Sequence, residues 1–185
     1  MSVSVSLLRG VNMTGHNSVK MTDLSDLFNK LGFIDAETYI QSGNVIFSHT
    51  DDLDMNDIRT KIETAILERF NYNIPVIIRS IKEMKELMLI NPFLNEPDFD
   101  PSKMAIIFLH TEPLETQVQK VRNIDYPPDK FKIYGREIYI YCPSGFGRTK
   151  LYTNFFENKM SVIGTARNWK TINKLLEMAE KKNQE

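Results

Sequence analysis

The sequence is short of the residues that usually announce chemistry. It holds one cysteine, Cys142, in 185 residues, so neither an intrachain disulfide nor a cysteine-based metal cluster can form. That usage fits a reducing compartment. The three histidines, His16, His49 and His110, stand far apart without ligand spacing, and no Ser-His-Asp arrangement or pair of carboxylates with defined geometry is legible. We expect no metal and no cofactor. No apolar run approaches the ~20 residues needed to cross a bilayer. Residues 1–8 alternate serine with valine and carry no basic stretch ahead of an apolar core, unlike a signal peptide. The expectation is a cytoplasmic protein with no membrane partner. Gly-x-x-x-x-Gly-Lys-Ser/Thr is also missing, which excludes a Walker-type phosphate loop.

What is present is the composition of a globular chain. Hydrophobic residues make up 42% and charged residues 25%, too apolar for disorder, and a chain of this length buries enough surface to fold without a staple. The formal net charge of −1 hides an uneven distribution. Residues 1–20 carry Arg9 and Lys20 and no acid. Residues 141–174 carry Arg148, Lys150, Lys159, Arg167, Lys170 and Lys174 against Glu157 alone. Positive charge gathered in two places on an otherwise acidic body can concentrate anions locally.

The pattern along the chain predicts an α+β fold made of two related halves. Residues 2–8 read as a half-buried strand. Thr22 is the expected cap of a helix carrying Leu24, Leu27, Phe28 and Leu31, closed by Gly32. Residues 38–40 and 45–47 read as strands around the turn Gln41-Ser42-Gly43-Asn44. Asp54 caps a long helix with an Ile58, Ile62, Ile66, Phe70 stripe, residues 74–79 form a further strand, and Ser80 with Glu83 makes a capping box. This β-α-β-β-α-β order is ferredoxin-like, with a helix appended. Residues 91–102, with Pro92, Pro97 and Pro101, read as a linker between a first half, 1–90, and a second, 103–185.

The second half is expected to repeat the plan. Residues 104–110 form a strand, Pro113 sits in the first turn of a helix reaching about residue 122, and residues 131–134 and 137–141 form a hairpin. A helix is expected over 149–159 and a fourth strand at 161–163. A last helix places Trp169, Ile172, Leu176 and Ala179 on one face.

Five motifs carry a family resemblance. Leu7-Leu8-Arg9-Gly10-Val11-Asn12, Lys20-Met21, Tyr39-Ile40-Gln41-Ser42-Gly43-Asn44-Val45, Gly147-Arg148-Thr149-Lys150-Leu151 and Thr165-Ala166-Arg167-Asn168-Trp169-Lys170-Thr171 resemble domain-of-unknown-function family 1697, a family of small bacterial cytoplasmic proteins. The resemblance runs from Met1 to about Leu176. It implies a two-part α+β fold and no particular activity. Two departures stand out: Thr14-Gly15 where the family has Gly-Gly, and Thr149 where it has Ser.

The residues with chemical promise lie in loops. Gly145, Gly147, Arg148, Thr149 and Lys150 follow a strand and are expected to open a helix, where backbone amides, a helix N-terminus and two cations would serve a phosphate or carboxylate. The bland alternative is a turn whose glycines serve only backbone geometry. Cys142 and Arg148 stand at Cys-x5-Arg spacing, similar to the phosphate loop of cysteine-dependent phosphatases, against which a buried structural thiol is the plainer reading. Thr165 or Asn168 is expected to cap the last helix; Arg167 beside Trp169 offers a stack or clamp for a ligand, against which Trp169 as the core anchor of that helix is the favoured reading. Arg9, Asn12 and Lys20 lie in the loop after the first strand, and Gln41, Ser42 and Asn44 at the hairpin tip supply polar groups that equally serve their own turn.

Together these features favour a protein that binds a phosphate-bearing or other anionic small molecule, or a nucleotide, at basic glycine-rich loops. Three other readings stay open: a nucleic-acid binder, which lacks the aromatic pattern of an RNA-recognition sheet; a phosphate-ester enzyme using Cys142 and Arg148; and a protein-interaction subunit. Oligomeric state is not legible.

Overall fold

A computed structural model describes residues 1–13 and 15–184; Thr14, one of the two departures noted above, lies outside the described residues. The chain is α+β, with two four-stranded antiparallel sheets and six α-helices among the described residues. It divides into two compact units, residues 1–86 with 174–185, and residues 87–173.

In the first unit β1 (Ser2–Leu8) pairs with β3 (Asn44–His49) and β4 (Val76–Ser80), and β3 pairs with β2 (Ile34–Tyr39), giving the order β2-β3-β1-β4. Strand β1 is central, and it is not half-buried as its Ser-Val alternation suggests: every residue from Val3 to Leu8 is buried. Both of its faces are covered, so the serines are packed inside, and Ser4 Oγ bonds His49 Nε2 at 2.9 Å. One face carries α1 (Met21–Lys30) and α2 (Met55–Phe70), whose Leu24, Phe28, Ile58, Ile62 and Ile66 join Leu8, Val45 and Phe47 in one core. Helix α1 starts at Met21 behind Lys20, which makes no side-chain cap bond; Thr22 is already inside the first turn. Asp54 does cap α2, accepting from Asn56 N at 2.7 Å. Ser80 and Glu83 form the expected reciprocal bonds at the start of α3 (Ile81–Leu89).

The second unit has the same plan. Strands β5 (Met104–Leu109), β6 (Lys130–Tyr134), β7 (Glu137–Tyr141) and β8 (Gly164–Asn168) take the order β6-β7-β5-β8, with α4 (Glu115–Arg122) and α5 (Thr153–Met160) on one face. On the other face Tyr139 donates to Leu87 O at 2.8 Å, and Tyr141 stacks against Phe93 and Phe99 at 5.7 and 5.5 Å.

Four expectations are corrected here. The fourth strand is not 161–163: Ser161 takes a left-handed conformation that ends α5, and the strand follows at Gly164–Asn168. Its Gly164 lies so close to β5 that a Cβ would meet Ile107 Cγ2 at 2.8 Å. Helix α5 starts at Thr153 rather than 149, because Thr149 is extended and its hydroxyl accepts from Leu151 N at 3.0 Å, a side-chain turn that competes with helix. Pro113 precedes the cap residue of α4 and is not in its first turn. In α6 (Trp169–Lys182) the fully buried leucine is Leu175, with Leu176 at the margin. The end of α6 belongs to the first unit, where Lys182 pairs with Glu37 at 2.7 Å and Glu180 with Lys85 at 3.1 Å.

Candidate functional site

In the first unit Asn12 and Asn44 are engaged with backbone groups of their own loops. Asn12, at φ 54, donates Nδ2 to Val19 O and Gln41 O and accepts Val19 N on Oδ1, each at 2.9 Å. One carboxamide thereby ties the 9–20 loop to the hairpin turn. Asn44, fully buried, donates to Tyr39 O and Ser42 Oγ at 2.9 Å. Arg9 donates its amide to Pro75 O at 3.0 Å, and Lys20 is exposed.

The second unit gathers charge around the segment that follows β7. The amide of Cys142 donates to Lys103 O, and Gly145, at φ +85, donates to Cys142 O at 2.7 Å. A 3-10 turn, Phe146–Arg148, follows, and then the extended run that leads into α5. This segment therefore does not sit at the N-terminus of an α-helix, and Gly145 spends its amide on the turn. The expected helix-terminus contribution to anion binding is absent. What remains is side-chain charge.

That charge lines a cleft of about 340 Å³ formed by Tyr126, Pro127, Pro128, Asp129, Ser144, Gly145, Arg148, Thr149 and Lys150. Arg148 and Lys150 are exposed, and among the described residues neither takes part in an ion pair. Lys130 and Arg122 of the same unit, by contrast, are each held by a glutamate at 2.6 Å. The Lys150 ammonium lies 5.3 Å above the centre of the Tyr126 ring, which Phe155 meets edge-on at 5.8 Å. A third ammonium, that of Lys103, lies 3.5 Å from the position a Cβ on Gly145 would take.

Asp129 is the group that sequence reasoning missed. Strand β6 pairs Lys130 with Tyr141, so the next step along the hairpin sets Asp129 beside Cys142, a placement that follows from register alone. Cys142 is fully buried, and burial pushes its thiol up to about 11. A hydrogen bond from Thr149 opposes the shift, while the charge of Asp129 and the hydrogen bond its carboxylate accepts from the thiol reinforce it. A nucleophilic cysteine needs the opposite: an exposed thiolate with a lowered pKa.

Thr149, Arg167 and Asn168 line a second cleft of about 290 Å³ with Phe146, Leu151, Tyr152 and the sheet residues Ala105, Ile107, Ile140 and Ala166. Thr165 and Arg167 are in a strand rather than at a helix start. Arg167 is 7% exposed and donates to Thr165 Oγ1 at 2.7 Å and to Ala166 O at 2.8 Å, and burial lowers its pKa to about 10. Asn168, not Thr165, caps α6, accepting Thr171 N at 2.8 Å. Among the described residues no group of three or more His, Cys, Asp or Glu side chains is placed to hold a metal ion, and no helix is long and apolar enough to cross a membrane.

A family model described as "Protein of unknown function (DUF1697)" matches residues 1–139. The chain belongs to this family. The matched region takes in Tyr126 and Asp129 and stops short of the motifs at 147–151 and 165–171, so the basic segment itself lies outside it. Among solved structures, that of the conserved bacterial protein SP0830 from Streptococcus pneumoniae has a TM-score of 0.77 at 22% identity. The similarity covers 97% of this chain and 99% of that one. It shows a common fold. No curated protein matches the sequence.

Of the candidates, Gly145, Arg148, Thr149 and Lys150 share one cleft, and Thr149, Arg167 and Asn168 share the other. Gly147 has open space around its α-carbon.

Proposed function

We propose that this member of the family is a cytoplasmic protein that binds a small anionic molecule, bearing a phosphate or carboxylate, in the cleft between Tyr126 and Lys150. The observation that carries the reading is a pair of exposed cations, Arg148 and Lys150, with no carboxylate partner among the described residues, reinforced by Lys103 beside Gly145. Two cations that form no ion pair among the described residues outweigh the single acid, Asp129, on the same cleft wall and attract anions, and Arg adds a two-pronged donor that matches a phosphate or carboxylate. A volume of about 340 Å³ suits a metabolite or mononucleotide rather than a polymer. The single buried cysteine supports a reducing, cytoplasmic setting.

Thermal shift and calorimetry with inorganic phosphate, pyrophosphate, phosphorylated metabolites and a single-stranded oligonucleotide test it. A ligand at 100 times its Kd adds about 2.7 kcal/mol of stability. The gain is expected for a small anion, weakens with salt, and disappears in Arg148→Ala/Lys150→Ala, whose unliganded stability stays near wild type because both side chains are exposed. No response to any anion, or an undiminished response in the double variant, overturns the reading. A response to the oligonucleotide alone replaces it with nucleic-acid binding.

A further inference from the structure

The second half leaves open a space that the first half fills. Register equates the two sheets: Ser4 faces Phe47 and Ser80 across its neighbours, and Ala105 faces Ile140 and Asn168. By the same pairing Ala166 occupies the place of Ile78, and Ile140 that of Phe47. Phe47 is fully buried and packs on Phe28 and Phe33 at 5.2 and 4.8 Å. Its counterpart Ile140 is smaller, as Ala166 is beside Ile78, although Ile107 stands where the first half has Ser6. The region also lies under less helix, since α5 has 8 residues against 16 in α2 and the chain ahead of it is extended. The outcome is the 290 Å³ cleft, floored by Ala105, Ile107 and Ile140, with Phe146 and Tyr152 exposed at 36% and 55%.

Exposed aromatic rings over an apolar floor are costly to leave in water, and such a cleft with a few polar groups is the usual form of a small-molecule site. One polar group is available. The Asn168 carboxamide uses its oxygen to cap α6, and its NH2 makes no hydrogen bond among the described residues. Thr149 lines this cleft and the basic one alike.

We infer that the two clefts hold two parts of one ligand: a planar, largely apolar ring against Ala105 and Ala166, and its anionic group at Arg148 and Lys150, as in an aryl phosphate. The inference rests on the anion reading above and deepens it. A ring that bears a hydrogen-bond acceptor meets the Asn168 NH2, and the link between ring and anion passes over Thr149, the buried residue that lines both clefts.

The test compares inorganic phosphate with phenyl phosphate by calorimetry. Wild type is expected to bind phenyl phosphate at least tenfold more tightly than phosphate. Ala166→Leu, at an exposed strand position, fills the apolar cleft and is expected to bring the Kd for phenyl phosphate up to that for phosphate. Phe146→Ser provides a second variant at the mouth, with the same expected loss of the ring's contribution. Equal affinity for the two compounds in wild type, or a preference that survives both substitutions, overturns the inference and leaves anion binding standing. Binding of phosphate without binding of phenyl phosphate also overturns the inference alone, and failure of both compounds to bind overturns both readings.

Discussion

After β3 the first half needs five residues, 50–54, to enter a helix of 16; after β7 the second half takes eleven, 142–152, to enter a helix of 8. The first connection is acidic and its acids are occupied. Asp51 accepts from Ser2 Oγ at 2.6 Å and pairs with the N-terminal ammonium at 3.2 Å, and Asp54 caps α2. The second is basic, its helix has no side-chain cap, and its cations stand at a cleft without ion pairs among the described residues. One plan built twice has thus put its polar groups to different uses. In the first copy they hold the fold together, and in the second they are left available to something else. Features kept in both copies mark the structural minimum. Arg79 and Arg167 take equivalent strand positions, both are buried, and each donates to the carbonyl of the residue before it, while Ser80 and Asn168 directly after them cap the next helix.

The sharpest contrast between the copies is in their hairpin turns. Gly43, at φ +71, has no room for a side chain: a Cβ would lie 2.5 Å from Val11 Cγ2 and 2.7 Å from Leu8 Cβ. Gly135, at φ +52, has open space. Gly43→Ala adds overpacking to left-handed strain and is expected to cost about 3 kcal/mol, whereas Gly135→Ala pays only the strain, about 1 kcal/mol. Urea titration of both variants measures the difference, and equal losses would show that the two turns are not distinguished by packing.

Next in size is the behaviour of Cys142. A thiol raised from 9 to about 11 has a thiolate fraction about 100-fold smaller at pH 8 than an unshifted one. A disulfide reagent is expected to modify the folded protein at least ~100-fold more slowly than the urea-unfolded chain. Linkage gives the matching sign: a raised thiol pKa contributes stability below pH 9 that is lost between pH 9 and about 11, so Cys142→Ser flattens that part of the alkaline loss. Rapid modification of the folded protein would return the cysteine to consideration as a nucleophile.

A smaller effect is expected at the first half's helix entry. Asp54→Ala removes the bond to Asn56 N and is expected to cost about 1 kcal/mol in the same urea titration.

The order of elements was readable because most of them carry strong periodicity or clear turn residues. Helix α2 shows its isoleucine stripe, and the hairpin turn after β2 its Ser-Gly-Asn. Strand β8 does not announce itself, since Gly164-Thr165-Ala166-Arg167-Asn168 has no apolar alternation and becomes a strand only by pairing with β5. The start of α5 was misplaced because Leu151 falls in register with Phe155, although the Thr149 hydroxyl holds the chain extended. Arg148 and Lys150 were legible as isolated cations. Asp129, Tyr126 and Lys103 were not, because their approach to that segment depends on hairpin register and on pairing between strands far apart in sequence.

The smallest expected effect tests most directly whether the second copy gave up stability for an open surface. Tyr152 occupies the cap position of α5 in an extended conformation, φ −90 and ψ 167, and makes no side-chain cap bond. That backbone suits an Asp whose carboxylate accepts an amide in the first turn, as Asp54 does for α2. Tyr152→Asp is therefore expected to stabilise the fold by about 0.5–1 kcal/mol, since the ring it removes is more than half exposed. The same substitution strips one aromatic wall from the apolar cleft and sets a negative charge near an anionic ligand, so affinity for phenyl phosphate should fall as stability rises. A variant that gains stability and keeps its affinity would mean that the uncapped helix serves no ligand. A variant that gains neither would mean that the tyrosine's packing, rather than the missing cap, is what the second half has kept.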